Sequence, residues 1–368
     1  AFYLLHPRLL AHGFYNGKDS IAQALVAISL LPLFLYYKEK TKRWAILSGL
    51  TLALSFTTRI PVIFLPFISL ILFIEVSSVN YRWKRIKFNF SKHFLFFAGS
   101  LLISTYIFLP IIWEFPFLML KNIFISMANH PWGGYNFYLG DYVKGSDLPW
   151  HYIFVWISIT TPIPFLIFFL IGIFDTFRSL SKENIKSNLF QILLFGAIVI
   201  PIFIVIIFDS TLTGGWRHLY FLYPFICYFM VIGFKKINII VKRKYLNNSR
   251  MIILLITVIT FFEPIYKIIK MHPHHHSYFN FLAGNDPLLN FDGDYWGSSS
   301  RECLEWISEN DSRKNIKILS TSNMASKSYG ILTDIDRSKF KFIYRDKKNS
   351  IRNYSGDYYI TNFFDGEK

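Results

Sequence analysis

Long apolar runs alternate with short polar connections along most of this chain. A helix that crosses a bilayer needs about 20 mostly apolar residues. The pattern predicts eight spans, at residues 20–37, 43–57, 60–76, 93–113, 151–174, 189–208, 217–234 and 251–269. The second and third are short and meet at Arg59 and Pro61. Because the residue before a proline avoids the helical conformation, we expect a break there, in either a tight helical hairpin or a re-entrant pair.

Lysine and arginine are distributed unevenly between these spans. Eighteen of them lie in four connections, at 38–43, 81–92, 175–187 and 235–250. The intervening connections and the N-terminal segment carry six. The two sets alternate along the chain, which is typical of a polytopic membrane protein with cytoplasmic basic loops. We therefore expect the other loops, and the tail after about residue 270, on the outer face.

The composition agrees with a membrane protein. Of the 368 residues, 53% are hydrophobic and 17% are charged, whereas soluble domains carry about 25% charged residues. The net charge of +16 would suggest nucleic acid as the partner of a soluble protein. Here the basic loops explain much of that charge as a topology signal, so we exclude nucleic-acid binding. Cys227 and Cys303 form neither a metal-binding spacing nor a disulfide framework.

The residues after about 270 differ in character, because they are polar and contain no spanning run. Apolar positions at helical spacing predict a helix at 298–310. The stretches NIKILS, KFKFIY and DYYITNF predict three short strands. We therefore expect two domains: a mainly helical membrane domain at 1–270 and a small α/β domain outside the membrane at 271–368.

Basic residues stand at the predicted outer ends of several spans. Arg59 follows a short span, and Arg217 and His218 follow two glycines in the stretch DSTLTGGWRHLYF. The forked donors of arginine and the start of a helix both suit a phosphate. The alternative is that each arginine extends to the lipid headgroups. Near Lys18, either Asn16, Asp19 or Ser20 caps the next helix and Lys18 lies at the interface, or Asp19 and Lys18 are an acid and a base near a substrate phosphate or sugar.

Aromatic and acidic residues are grouped in two outer segments, at 114–150 and 272–300. Ring faces stack on sugars while polar groups hold the hydroxyls, so both segments are candidate sugar sites. The alternative is an aromatic belt at the membrane surface. Four histidines at 272–276 could suggest a metal, but adjacent histidines cannot all face one ion, which favours a structural role. The candidates for substrate or acceptor binding are His130, Trp132, Asp141, Trp216, Asp294 and Trp296.

Four motifs carry a family resemblance: HPRLLAHGFYNGKD, LPWHYIFVWISITTP, GGWRHLYFLYP, and YFNFLAG followed by FDGDYWGSSSRECLEW. Together they resemble bacterial integral-membrane glycosyltransferases of the protein O-mannosyltransferase and aminoarabinose-transferase kind, in glycosyltransferase family 39 and its relatives. The resemblance covers residues 1 to about 310. It implies a GT-C helix bundle in the cytoplasmic membrane of a bacterium, which transfers a sugar from a polyprenyl phosphate to an acceptor at the outer face.

The resemblance also implies roles for the candidate residues. Asp19 would be the second acidic position of the active site, and Lys18, Arg59, Arg217 and His218 would bind the phosphate of the donor. The partners would be a polyprenyl-phosphate-linked sugar, membrane lipids, and an acceptor that is a protein, a lipid or a glycan. A divalent metal ion could assist the leaving phosphate, and no residue is assigned to it. We expect Asp19, Arg59 and Arg217 to line one cavity.

One departure from the family concerns its principal catalytic acid, which lies in the first outer loop after the first span. This chain begins downstream of that loop, so we expect the acid to lie outside this sequence and assign its role to no other residue. Two other functions stay open. A transporter or flippase of lipid-linked sugars would need ionisable residues deep in the spans or repeated halves. A non-catalytic scaffold would lack a substrate-sized cavity at the outer face.

Overall fold

Helices make up most of the protein. The computed structural model describes residues 1–76, 88–128, 132–180, 188–320, 323–344 and 356–362. The α-helices in these ranges are α1 (Pro7–Tyr15), α2 (Asp19–Glu39), α3 (Lys42–Thr58), α4 (Phe64–Ser69), α5 (Phe94–Phe108), α6 (Pro116–Ala128), α7 (Tyr152–Thr160), α8 (Ile163–Leu180), α9 (Leu189–Ile207), α10 (Tyr223–Lys244), α11 (Ser249–Lys270), α12 (Ser299–Asn310), α13 (Asn323–Tyr329) and α14 (Asp334–Lys339). The strands are β1 (Ile74–Val76), β2 (Phe88–Phe90), β3 (Tyr135–Tyr138), β4 (Asp141–Lys144), β5 (Ile316–Ser320), β6 (Phe340–Tyr344) and β7 (Tyr358–Ile360).

Within the described ranges, five helical segments are long and apolar enough to cross a membrane, which indicates a membrane protein. They are Asp19–Glu39, Ile163–Leu180, Leu189–Ile207, Arg217–Lys244 and Ser249–Lys270. The remaining predicted spans are helical but shorter. The segment Ile60–Phe73 consists of α4 with a 3-10 turn on each side, and α5 has 15 residues. The break expected at Arg59 is present, because Arg59 is extended between α3 and the next turn.

The predicted span at 151–174 is wrong as a single helix. It is divided into α7 and α8, and Thr161 between them has an extended backbone (φ −95°, ψ 134°). Pro162 is the physical reason: proline excludes the helical conformation at the residue before it and lacks the N–H that a continuous helix would need. Only α8 is long enough to span, and α7 packs its Trp156 ring into the core.

The helices pack so that their basic ends lie away from the two-glycine stretch at 214–215. Helix α2 begins at Asp19 and runs to the basic turn at 38–43, from which α3 returns. Helix α10 begins near the glycines and ends at Lys242, Arg243 and Lys244. At that basic end, Lys236 of α10 pairs with Asp175 of α8 (2.5 Å). Within the described residues, the structure therefore places the basic residues of 38–43 and 242–244 at the helix ends opposite to Asp19 and the two glycines.

The segment after α11 is shared between two cores. Phe279, Ala283 and Phe291 pack in the main helical core. A second core begins with Leu304 and Ile307 of α12. There β5 lies between β6 and β7 in a parallel three-stranded sheet, against α12 and α13. The helix and the three strands predicted for the tail are therefore present, and residues 279–291 belong with the membrane helices in packing.

Two glycines bring α8 and α10 into backbone contact. A Cβ atom at Gly172 would collide with the carbonyl of Phe229, and one at Gly233 with the carbonyl of Phe168. Small residues serve this purpose between membrane helices, where close packing replaces the hydrophobic effect as the force for association.

We predict that Gly172→Ala separates these helices and lowers the free energy of unfolding by about 1–3 kcal/mol. Gly99→Ala in α5 is the matched control, because a Cβ atom there would meet no neighbouring element or side chain within 4 Å. Alanine should be neutral or slightly stabilising there, since it favours the helix. Thermal unfolding of both variants in detergent measures the difference, and equal midpoints would contradict this packing.

Candidate functional site

A carboxylate lies at the start of α2, between the ends of three elements. Asp19 is the first residue of that helix and only 3% of it is exposed. Asn16, which ends α1, holds it on two sides: the Asn16 Oδ1 accepts from the Asp19 backbone N–H (3.1 Å), and the Asn16 Nδ2 donates to Asp19 Oδ2 (2.6 Å). The short turn between α1 and α2 therefore determines where the carboxylate lies.

Two arginines from distant parts of the chain converge on this carboxylate. The Nε atom of Arg59 lies 2.6 Å from Asp19 Oδ1, and the Nη1 atom of Arg217 lies 3.8 Å from Asp19 Oδ2. The side chains of Arg59 and Arg217 are 23% and 14% exposed. Burial lowers the pKa of Arg59, Asp19 opposes that shift, and Arg217 adds to it. One carboxylate thus meets two guanidinium groups, so the cluster carries a net positive charge.

The two glycines before Arg217 allow its guanidinium to contact both the Thr213 carbonyl and the Tyr295 ring. Its Nε donates to the Thr213 carbonyl (2.9 Å), and the guanidinium carbon lies 4.4 Å from the centre of the Tyr295 ring. Gly214 and Gly215 have φ values of +68° and +70°, a region that favours glycine. A Cβ at Gly214 would also lie 2.7 Å from the Tyr295 ring. Both the turn and the close approach of Tyr295 therefore require the first glycine.

The other predicted phosphate ligands adjoin this cluster in sequence. Lys18 is exposed immediately before Asp19, and His218 is half-buried immediately after Arg217. The structure brings Asp19, Arg59 and Arg217 into direct contact, whereas the expectation that they line one cavity stays a prediction. A cavity of about 80 Å³ lies nearby, beside Leu212, but none of the three lines it.

Two tryptophans predicted to bind substrate, Trp132 and Trp216, instead pack against other parts of the protein. Trp216 is 1% exposed, and its indole N–H donates to Thr160 Oγ1 (3.0 Å). That position leaves no ring face for a substrate, so the structure supports a packing role for Trp216. The Trp132 ring covers Gly134 and Gly145, where a Cβ atom would collide with it. Asp141 is exposed in β4, and His130 lies outside the described residues.

Asp294, an acidic residue of the segment 272–300, has a structural role. Asp294 is buried and accepts from His276 Nε2 (2.6 Å), from the Ser299 backbone N–H (2.9 Å) and from Ser299 Oγ (2.9 Å). Burial raises its pKa, but these hydrogen bonds and His276 outweigh burial, and the pKa of Asp294 is lowered overall. Asp294 therefore accepts a hydrogen bond from a backbone N–H at the start of α12 and connects the histidine-rich segment to that helix through His276.

The histidine-rich segment uses its side chains in pairs. His274 contacts Glu302 of α12 (2.9 Å) in addition to the His276–Asp294 pair. In the part of the chain that the structure describes, no group of three or more His, Cys, Asp or Glu side chains is arranged to hold a metal. These contacts agree with the structural role favoured for the histidines.

Sequence reasoning missed the polar residues of α1. The guanidinium of Arg8 is buried, donates to the Tyr278 carbonyl (3.2 Å), and lies 5.3 Å and 4.8 Å from the ring centres of Trp156 and Phe279. Burial lowers the pKa of Arg8, and Tyr220 and Asp292 oppose that shift. The available signal was the four-residue spacing of Arg8 and His12, which places both on one helix face.

His12 joins α1 to the arginine cluster through aromatic side chains. The Trp296 indole N–H donates to His12 Nδ1 (3.4 Å), so the remaining ring nitrogen, Nε2, donates to the Tyr220 hydroxyl (3.1 Å). His12 is neutral in this arrangement. Burial, with Arg8 as the next cause, lowers the pKa of His12 well below its ordinary value. Trp296 is half-buried beside Tyr295, the ring that supports Arg217.

Comparison of the chain with protein-family models, with curated proteins and with solved structures found no match.

We predict that Asp19→Asn destabilises the protein, because it leaves two partly buried arginines close together without their carboxylate. The expected loss is about 2 kcal/mol, less than the 3–5 kcal/mol typical of a fully buried pair, since both arginines retain some exposure. Asp141→Asn, an exposed position, should change stability by no more than about 0.5 kcal/mol. Thermal unfolding in detergent measures the stability of both variants. If Asp19→Asn is as stable as Asp141→Asn, the two arginines do not need the Asp19 carboxylate for stability.

Proposed function

We propose that this protein is a membrane glycosyltransferase that moves a sugar from a polyprenyl-phosphate donor to an acceptor at the outer face of the cytoplasmic membrane. The observation that carries the proposal is the convergence of Arg59 and Arg217 on Asp19 at one end of apolar helices. The resemblance of the four sequence motifs to membrane glycosyltransferases supports the reaction type.

The charge of the cluster suits a phosphate diester. Two guanidinium groups and one carboxylate leave one positive charge, and a polyprenyl-phospho-sugar carries one negative charge on its phosphate. An arginine has five N–H donors. Of these donors, the Nε of Arg217 is used in the hydrogen bond to Thr213, while the Arg59 Nε and the Arg217 Nη1 face Asp19 as ion pairs. The remaining donors suit phosphate oxygens, and the apolar helices beside them suit the polyprenyl chain.

The contacts of Asp19 support a positioning role. Each of its two oxygens faces an arginine, and Asn16 donates to one of them as well. We therefore assign Asp19 to holding the guanidinium groups in place, and we assign the general base to no described residue. Release of the sugar raises the negative charge of the departing phosphate, and the two arginines would stabilise that charge as it develops. A single inverting displacement meets this chemistry.

The polarity of the bundle supports the proposed orientation. The basic residues of 38–43 and 242–244 lie at the helix ends opposite to the arginine cluster, and basic loops are retained on the cytoplasmic side. The cluster, the segment after α11 and the α/β tail would then face outward. In this proposal the membrane part is a GT-C-like bundle over 1–270, and 271–368 forms the outer domain.

We predict that Arg217→Ala weakens binding of undecaprenyl phosphate by roughly tenfold, because a charged hydrogen bond contributes about 1.5–3 kcal/mol. Binding is measured with radiolabelled lipid on the protein in nanodiscs. Arg301→Ala is the matched control, since Arg301 is an exposed arginine on α12 that pairs with Glu305 (2.6 Å). Equal affinities of Arg217→Ala and Arg301→Ala would remove the phosphate site from the proposal.

A second experiment separates transfer from transport. Sealed vesicles containing the protein are supplied with polyprenyl-phosphate mannose labelled in the sugar and with water-soluble glycan and peptide acceptors. A glycosyltransferase moves the label to an acceptor that no longer partitions with the lipid. A flippase leaves the label on the lipid and changes only the leaflet in which it is accessible, which would favour the transporter instead.

A further inference from the structure

A small cavity opens beside the segment that leads to Arg217. Its volume is about 80 Å³, and it lies between the loop before α7 and the end of α9. Its polar lining comes from Ser146, Asp209 and Ser210, and its aromatic lining from Trp150 and Tyr152. The rest of the lining is apolar. This mixture of one aromatic face with a few polar groups is typical of small-molecule sites.

The size of the cavity limits what it can hold. At about 30 Å³ for each water, the share that a water has in the liquid, the cavity corresponds to about three waters. Pockets for drug-sized ligands begin at roughly 300 Å³. A polyprenyl chain is therefore too large, whereas the volume suits part of a single ring beside the exposed Trp150.

The polar groups at the cavity are suited to hydroxyl groups. Asp209 is exposed and adopts a left-handed conformation (φ 43°) just after α9. Glycine or asparagine usually fills that position at a helix end, so an aspartate there places a carboxylate at the rim. Ser146 donates its hydroxyl proton to Asp147 (2.6 Å), which leaves its oxygen as an acceptor. A carboxylate and two serine hydroxyls together accept and donate hydrogen bonds, as a sugar ring requires.

Trp150 provides the aromatic surface for such a ring. Its side chain is 67% exposed, although it borders an apolar wall formed partly by Leu148 and Ile153. The Trp150 ring makes edge contacts with two neighbouring rings. Its centre lies 5.5 Å from that of His151 and 6.3 Å from that of Phe154. An exposed tryptophan beside a carboxylate is the combination by which ring faces and hydroxyls of sugars are held.

The cavity is connected to the arginine cluster by one short segment. Leu212 lines the cavity, its backbone N–H donates to the Gly145 carbonyl (3.2 Å), and its carbonyl accepts from Asn136 Nδ2 (3.0 Å). The next residue, Thr213, accepts the Nε hydrogen bond of Arg217. A ligand in the cavity therefore lies against the same segment that positions Arg217.

We propose that this cavity binds a sugar ring of the acceptor, so that the acceptor of the transfer is a glycan. The assignment of the ring to the acceptor rests on the proposed function, whereas sugar binding in the cavity can be tested without it. Polyprenyl phosphate at Arg217 and a sugar ring at Trp150 would then occupy two separate sites on one face of the protein.

The test uses saturation-transfer NMR on the whole chain in detergent, with methyl α-mannopyranoside, methyl α-glucopyranoside and N-acetylglucosamine as probes. We expect at least one of them to bind the unaltered protein. Trp150→Ala and Asp209→Asn should each weaken that binding roughly tenfold. Trp306→Ala and Asp286→Asn, at exposed positions away from the cavity, are the matched controls and should bind as the unaltered protein does.

The same variants are assayed for undecaprenyl phosphate, so that the two proposals fail separately. Unchanged lipid binding by Trp150→Ala, together with lost sugar binding, supports the cavity as a distinct sugar site. No binding of any probe sugar, or equal binding by the cavity variants and the controls, overturns this inference even if Arg217→Ala still weakens lipid binding. Preferential binding of a serine- and threonine-containing peptide in the cavity would overturn it as well.

Discussion

A buried carboxylate must be paired, and the pairing of Asp19 with two arginines constrains much of this structure. The three residues come from the start of α2, the end of α3 and the segment before α10, so their contact brings three helix ends to one level. The opposite ends of α2, α3 and α10 carry the basic residues of 38–43 and 242–244, which is why the charge pattern along the sequence and the direction of these helices agree.

The surroundings of the cluster keep Arg217 in place without neutralising it. Thr213 accepts one of its hydrogen bonds through a carbonyl, and Tyr295 supports it through a ring face. Neither Thr213 nor Tyr295 carries a formal negative charge. The cluster of two arginines and Asp19 therefore keeps one unbalanced positive charge. A cluster that existed only for stability would be better balanced, because a low-dielectric surrounding penalises uncompensated charge. The excess of one positive charge is the reason for connecting this site with a phosphate.

Much of the fold could be predicted from the sequence, because hydrophobic runs and proline act locally. The long helices, the break at Arg59, and the helix and three strands of the tail were predicted in this way. The division at Pro162 was missed, since apolar residues continue on both sides of it. The meeting of Asp19 with two arginines was predicted only from charge alternation and resemblance. The buried places of Arg8 and Trp216 could not be predicted, because burial depends on contacts with Tyr278 and Thr160 far away in sequence.

The phosphate site is the central claim, and its most direct test is a cryo-electron-microscopy structure of the protein in lipid nanodiscs with undecaprenyl phosphate. The account predicts phosphate density within hydrogen-bonding distance of both Arg59 and Arg217, with the polyprenyl chain following the apolar helices away from Asp19. Phosphate density at the basic turn of residues 38–43 instead, or a map in which Arg59 and Arg217 contact only Asp19 while lipid is bound elsewhere, would contradict it.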